Sequence, residues 1–349
     1  MNKIIDFSNY ILNNLNLKVG QCVEIVGPKE CEELVVSLEK VCLSSFYQPF
    51  ITYNNLDDEY YIERNTQFYL KLMNNDFNRI IITSSFQSPK NKYFLDTHSD
   101  FLNDYFENKQ HKYTIVVYPN TKWAMNLGIK YNNLRDRIID ISMMQNTLSN
   151  DINKLYNLNI KYLNIKNSLG TNLNMELASN FKFNDGKVLA YDNTYYYKNI
   201  PCLEIFTSPI KNSVNGILYS SKGIYINSHI INSFNLEFKD GMVIYSRGLD
   251  SLIKEEDGLK YLGEIGISMF NEFIFYNTLL DENSSIHVAL GNSYSMGIDN
   301  KYLNKLNKSK HHIDLPIGTS DTVITFYNKD MKIVSKFINN KFIYEDLND

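Results

Sequence analysis

The sequence predicts an α/β N-terminal domain with a mostly parallel sheet, residues 1–164, followed by a β-rich α+β domain, residues 165–349. Three observations predict this. The chain has 349 residues and 44% hydrophobic composition, more than one ordinary core organises. Up to about residue 160, helical segments alternate with short apolar strands, the pattern of a sheet joined by helical crossovers. Beyond that, short strands follow one another between Gly, Asn and Asp-Gly turns.

Each element has its own signal. Residues 4, 5, 7, 11, 12 and 15 are apolar with helical recurrence. "QCVEIVG" (21–27) alternates as a strand. "KECEELVVSLEKVCLSSF" puts apolar residues 31, 34, 35, 38, 41 and 42 on one helix face. "PFITYN" (49–54), "RIIITSS" (79–85) and "YTIVVYP" (113–119) are strands, the last apolar and β-branched. "QNTLSNDINKLYNLN" (145–159) fits another helix. In the second half, Asp240-Gly241 inside "FNLEFKDGMVI" marks a hairpin turn. "DTVITFYNKDMKIVSKFINNKFI" (321–343) is strand-like again.

Charge and composition exclude several classes. The net charge is −4, and Lys and Arg are scattered among acidic residues with no long basic run. No nucleic-acid partner is expected. No run of eighteen apolar residues occurs, so no membrane span is expected. The N-terminal apolar segment is broken by Asp6, Ser8 and several Asn, unlike a signal peptide. Cys22, Cys31, Cys42 and Cys202 lack metal-site spacing and read as buried thiols of a reducing compartment. The expectation is a soluble cytoplasmic protein.

Polar chemistry concentrates in four segments of the second domain. They are "NIPCLEIFTSP" (199–209), "YLGEIGIS" (261–268), "LDENSSIHVALGNSY" (280–294) and "KHHIDLPIGTSD" (310–321). Glu204 and Glu264 sit among apolar residues, where a carboxylate is costly unless paired or metal-bound. His312 and Asp314 bracket Ile313, so on a strand they share a face. Taken singly, each has a plain alternative. Glu264 fits an edge or helix-surface residue, Asp281 and Glu282 fit helix-terminal charges, and His-x-Asp is frequent by chance. Spacing alone leaves a metal site and ordinary charges level.

The four segments, in this order, resemble the motifs of the aminopeptidase T / aminopeptidase S family of metallopeptidases. "PCLEIFTSP" is similar to its Pro-x-x-Glu-Val-Phe-Thr-x-Pro motif, and Leu262-Gly263-Glu264 to its Leu-Gly-Glu. Residues 281–294 resemble its Asp-Glu-Asn … His-Ile-Ala-Leu-Gly-x-x-Tyr, and His312-Ile313-Asp314 its final His-x-Asp. "LGTNLNMEL" (169–177) and "LKVGQCVEIVGPKECEELV" (17–35) resemble further family stretches. Cys202-Leu203 stand where members often carry Thr-Glu, Asn172 replaces an Asp, and Ser295 replaces a Pro. The resemblance implies that the second domain is the metal-binding domain.

It also implies that Glu204, Glu264, Glu282, His287, His312 and Asp314 are the metal ligands. Tyr294 is the implied catalytic tyrosine, with Glu204 or Glu264 as proton acceptor. Six ligands exceed the needs of one tetrahedral ion and suit two divalent cations bridged by a carboxylate. The N/O donor set fits zinc, cobalt or manganese. The implied activity is hydrolysis of N-terminal residues from peptides with a free N-terminus, by a homodimer. The alternatives are a catalytically silent peptide-binding protein on the same fold and a two-metal phosphoesterase.

Overall fold

The computed structural model describes residues 2–55, 77–87, 111–226 and 229–345. The chain divides into two compact units, Met1–Met144 with Gly186–Cys202, and Gln145–Asp185 with Leu203–Asp349.

The first unit begins with helix α1 (Lys3–Leu15), whose N-terminus is capped by the Asn2 side chain accepting from the Ile4 N–H. Phe7, Ile11, Leu12 and Leu15 form its buried stripe, and Asn16 ends it in the left-handed conformation. Helix α2 (Glu32–Ser44) buries Leu34, Val35, Leu38, Val41 and Cys42, the expected face. Strands β1 (Cys22–Gly27), β2 (Gln48–Tyr53), β3 (Phe77–Thr83) and β4 (Tyr113–Val117) form a parallel sheet ordered β2-β1-β3-β4. The connections 56–76 and 88–110, where the helix–strand rhythm was expected to continue, lie outside the described residues.

Residues 186–202 return to this unit. They supply the hairpin β7 (Lys187–Leu189) and β8 (Tyr195–Tyr197), then β9 (Asn199–Ile200), which extends the sheet parallel to β4. The boundary expected near 164 falls inside the second unit, because β5 (Tyr162–Lys166) already pairs with β19 (Val323–Tyr327). The helix expected over 145–159 is shorter. Asn146 caps a 3-10 turn, Thr147–Asp151, and the α-helix occupies only Ile152–Asn157. All four cysteines are free; Cys31 and Cys42 are buried, while Cys22 and Cys202 are partly exposed.

Besides an antiparallel pair, β12 (Ile224–Ile226) and β13 (His229–Ile231), the described residues of the second unit form two antiparallel sheets. The larger adds β6 (Asn172–Glu176), β11 (Asn215–Tyr219), β14 (Asn235–Lys239), β15 (Met242–Arg247), β20 (Ile333–Ile338) and β21 (Lys341–Tyr344) to β5 and β19. Its order is β15-β14-β11-β6-β5-β19-β20-β21. The expected hairpin joins β14 to β15, with Asp240 and Gly241 both at positive φ.

The smaller sheet has β10 (Glu204–Thr207), β16 (Leu262–Ser268), β17 (His287–Gly291) and β18 (His312–Pro316), in that order. Ile205, Ile265, Ile267, Val288, Leu290 and Leu315 enter one core cluster with Leu163, Leu173, Leu218, Leu236, Phe326 and Phe337 of the larger sheet. One face of the smaller sheet is therefore committed to the core. The register decides what stands on the other.

Candidate metal centre

In the smaller sheet Phe206 pairs with Gly266, Gly266 with His287, and His287 with Pro316. Glu264 pairs with Ala289, Ala289 with Asp314, and Gly291 with His312. Glu204 pairs with Ser268. Residues paired across antiparallel strands share a face. Glu204, Glu264, His287, His312 and Asp314 therefore project from one side, with Gly266, Ser268, Ala289 and Gly291 standing among them on the two central strands. Small residues leave room above the sheet where the five polar side chains meet.

Five of the six expected ligands form two overlapping triads. Glu204, Glu264 and His287 make one, and Glu264, His312 and Asp314 the other, with ligand atoms within 4.8 Å in each. His287 Nε2 lies 3.2 Å from Glu204 Oε2 and 3.3 Å from Glu264 Oε1. His312 Nε2 lies 3.1 Å from Asp314 Oδ1 and 3.7 Å from Glu264 Oε2. The two oxygens of Glu264 thus face one triad each. Glu282 belongs to neither triad. It ends a short helix, Thr278–Glu282, and its buried carboxyl stands beside Asp314.

Main-chain contacts orient the imidazoles. His287 Nδ1 lies 3.3 Å from the Ser285 carbonyl, and His312 Nδ1 lies 2.9 Å from the Asn292 carbonyl. Those contacts leave both Nε2 atoms facing the carboxylates. Asn283 donates to Glu282 Oε1 at 3.3 Å and accepts from the Leu203 N–H, so it links the helix to the start of β10. Asn146 donates to the Glu204 carbonyl at 2.7 Å.

The glycines are spatial requirements. A Cβ on Gly266 would lie 2.0 Å from His287 Cε1, 2.2 Å from its Nε2 and 2.8 Å from Glu204 Oε2. A Cβ on Gly263 would lie 2.3 Å from the Asn292 carbonyl, beside the register shift between Leu262 and Glu264. Sequence reasoning missed Gly266. Its signal is a glycine two residues beyond a candidate ligand, on the same face of the strand.

The electrostatics are those of a crowded anionic cluster. Burial, opposed by His287 and reinforced by Glu264, pushes the Glu204 carboxyl up to about 8. Burial also drives Glu282 well above the ordinary carboxylate range, with Asp314 and Glu204 adding to it. Against the effect of burial, Glu204 and Glu264 push His287 up to about 10, and Asp314 and Glu264 push His312 to about 9. Against its own burial, Asp314 is held down at about 2 by His312 and then His287. The cluster holds protons where divalent cations would compensate the carboxylates. Glu204 Oε2 and Glu264 Oε2 are buried and find no hydrogen-bond partner among the described residues. The oxygen and imidazole donor set, with two orphaned carboxylate oxygens, fits divalent ions.

Tyr294 stands at the rim. It follows β17, and its backbone N–H donates to Ser208 Oγ at 3.0 Å while Ser208 Oγ donates to its carbonyl at 2.9 Å. Its ring centroid is 4.9 Å from that of His312 and 5.5 Å from that of Phe206. Burial, then Glu264 and Asp314, raises its phenol, which stays a proton donor. His311, beside His312, is exposed.

Asp281 serves the scaffold. Its carboxylate accepts from the Phe275 N–H at 2.9 Å and the Asn277 N–H at 3.0 Å, and lies 3.9 Å from Lys222 Nζ. Lys222 donates to Ser284 Oγ at 2.8 Å and to the Phe273 carbonyl at 3.0 Å. Both side chains are buried. Lys222→Met is expected to destabilise the fold by about 3–5 kcal/mol, because it leaves a buried carboxylate unpaired. Urea denaturation checks this, and a loss under about 1 kcal/mol, as for an exposed pair, contradicts it.

Comparison with known proteins gives a consistent picture. Residues 48–342 match the family model described as thermophilic metalloprotease (M29). "Aminopeptidase 2" of Geobacillus stearothermophilus is 33% identical over 192 residues, 49% of this chain and 46% of that protein. "Aminopeptidase AmpS" of Bacillus subtilis (strain 168) is 29% identical over 195 residues, 50% of this chain and 48% of that protein. The chain spans about half the length of the curated relatives it matches. The structure titled "Wild-type AmpT from Thermus thermophilus" superposes with a TM-score of 0.79 over 95% of this chain and 96% of that one. At 18% identity, that likeness establishes the fold.

Proposed function

The chain belongs to the thermophilic metalloprotease (M29) family, and on that premise we propose that it is an aminopeptidase that uses two divalent ions. The observation that carries the reading is Glu264, whose Oε1 faces His287 and Oε2 faces His312. A carboxylate with one oxygen in each triad would serve both positions of a two-ion centre. His287 and Glu204 would complete one position, and His312 and Asp314 the other, with Glu282 beside Asp314. Zinc, cobalt or manganese suits this donor set. When bound, the ions supply carbonyl polarisation and an acidified water.

The chain's own residues supply the rest. Glu264 has one oxygen toward each imidazole and Glu204 Oε2 lies 3.2 Å from His287 Nε2, so Glu204 or Glu264 would accept the proton. The Oε2 of each is buried and without a hydrogen-bond partner among the described residues. Tyr294 donates its O–H to the oxygen that gains charge as the scissile carbonyl is attacked. A substrate with a free α-amine is selected at the same mouth. The resemblance alone carries the homodimer as a corollary.

Tyr294→Phe removes one hydroxyl and leaves the ring contacts. The turnover rate is expected to fall about 10²–10³-fold, the usual loss for one oxyanion donor. KM and metal content should change little, because the ground-state carbonyl gains less from the donor. Steady-state kinetics beside elemental analysis checks this, and near-unchanged turnover at full metal content removes Tyr294 from the chemistry.

The function itself is tested by the release of free amino acids from unblocked peptides and from their N-acetylated forms, with and without chelator. Release from the unblocked peptides alone, lost with chelator and restored by a divalent ion, is expected. Equal release from the acetylated peptides contradicts an aminopeptidase. Tight peptide binding without release points to a silent binding protein, and phosphate-ester cleavage without release to a phosphoesterase.

A further inference from the structure

The two triads share Glu264 and the same donors, one imidazole and two carboxylates, but differ in how far solvent reaches them. The Glu204–Glu264–His287 triad is sealed. The His287 side chain is 0% exposed, and those of Glu204 and Glu264 are 8% and 4%. The His287 ring lies against Gly266 with no space for a methyl group. In the other triad the His312 side chain is 20% exposed and that of Asp314 11%. Beside His312 stands the Tyr294 ring, in a residue 38% exposed, so this triad lies at the mouth.

When an ion leaves, each triad keeps one imidazole against two carboxylates, and what differs is the access of water to them. At the mouth, His312 and Asp314 lie 3.1 Å apart and form their own ion pair. In the sealed triad, His287 alone would have to offset both Glu204 and Glu264, at 3.2 Å and 3.3 Å. Glu204 Oε2, 3.2 Å from His287 Nε2, is buried, so no solvent is at hand to take the place of a departing ion. A buried carboxylate without a partner is costly, and exchange needs water to replace ligands stepwise.

We propose that the two ion positions are inequivalent. The Glu204–Glu264–His287 position retains its ion, whereas the Glu264–His312–Asp314 position at the mouth exchanges. This rests on the two-ion reading of the site and deepens it. It makes the outer ion the one that metal availability controls, so the protein passes through a one-ion form before it loses metal altogether.

The test is metal release from the full chain. Protein saturated with Zn²⁺ and freed of excess is mixed with a strong chelating indicator, and zinc transfer is followed by absorbance. The expected trace has two phases of one ion each, with rates at least about tenfold apart, the ratio given by about 1.4 kcal/mol of barrier. His312→Ala should abolish the fast phase and keep one slowly released ion. His287→Ala should abolish the slow phase. A single phase releasing both ions, or a fast phase that survives in His312→Ala, overturns the inference while leaving the two-ion centre standing. Protein that never binds more than trace zinc overturns the two-ion reading and the inference with it. The wild-type trace decides even if a variant fails to fold.

Discussion

Glu264→Ala is expected to lose both metal ions and to lower kcat/KM by about 10³–10⁴-fold, which corresponds to the several kcal/mol that metal polarisation supplies. Every other residue of the two triads belongs to one of them, but Glu264 belongs to both, with Oε1 toward His287 and Oε2 toward His312. The loss should therefore exceed that from His312→Ala, which spares the Glu204–Glu264–His287 set. Folding should survive, because removing one of several mutually repelling buried carboxylates relieves as much as it costs. Elemental analysis and kinetics on one preparation decide the matter. A variant that keeps one ion at full occupancy shows that Glu264 does not bridge.

Gly266→Ala is expected to be nearly as damaging, although it removes no donor. The added methyl would stand 2.0 Å from His287 Cε1 and 2.8 Å from Glu204 Oε2. Neither can retreat easily, since His287 is fully buried and its Nδ1 lies against the Ser285 carbonyl. The ring must leave its rotamer or the strands β16 and β17 must part. Overpacking of this kind costs about 1–3 kcal/mol of stability. Displacing a ligand by about 1 Å also costs about 10²-fold in rate. Metal affinity should fall with activity, while secondary structure by circular dichroism stays native. The neighbouring Ala289→Gly, which only adds room, should bind metal nearly normally. Unchanged metal affinity in Gly266→Ala would mean that the cleft is looser than its packing implies.

Much of this was legible in the sequence because the relevant signals are local. The apolar stripes of α1 and α2 and the strands β1 to β4 follow from periodicity, and Asp240-Gly241 carried its own turn chemistry. The His312-x-Asp314 pair was readable as one face because strand alternation is a rigid rule. The return of residues 186–202 to the parallel sheet was not legible. Strand propensity states that a segment is extended and is silent about which sheet it joins. The helix of 145–159 was overread, because Asn146 draws the chain into a 3-10 turn that periodicity does not register. Gly266 and Lys222 escaped for a related reason. One acts by the absence of a side chain opposite His287, the other by reaching Ser284 and Asp281 from a distant stretch. Both facts exist only once the strands are in register. The resemblance named Glu282 along with the triad residues, and in the fold it stands on a helix end beside Asp314.

The central claim is that one sheet face holds two ions through a shared Glu264. The most direct measurement is the metal-to-protein ratio of the full chain, by elemental analysis, after saturation with zinc, cobalt or manganese and removal of excess. The account predicts about two ions per chain for wild type. A wild-type ratio near one, or only trace metal, would contradict it.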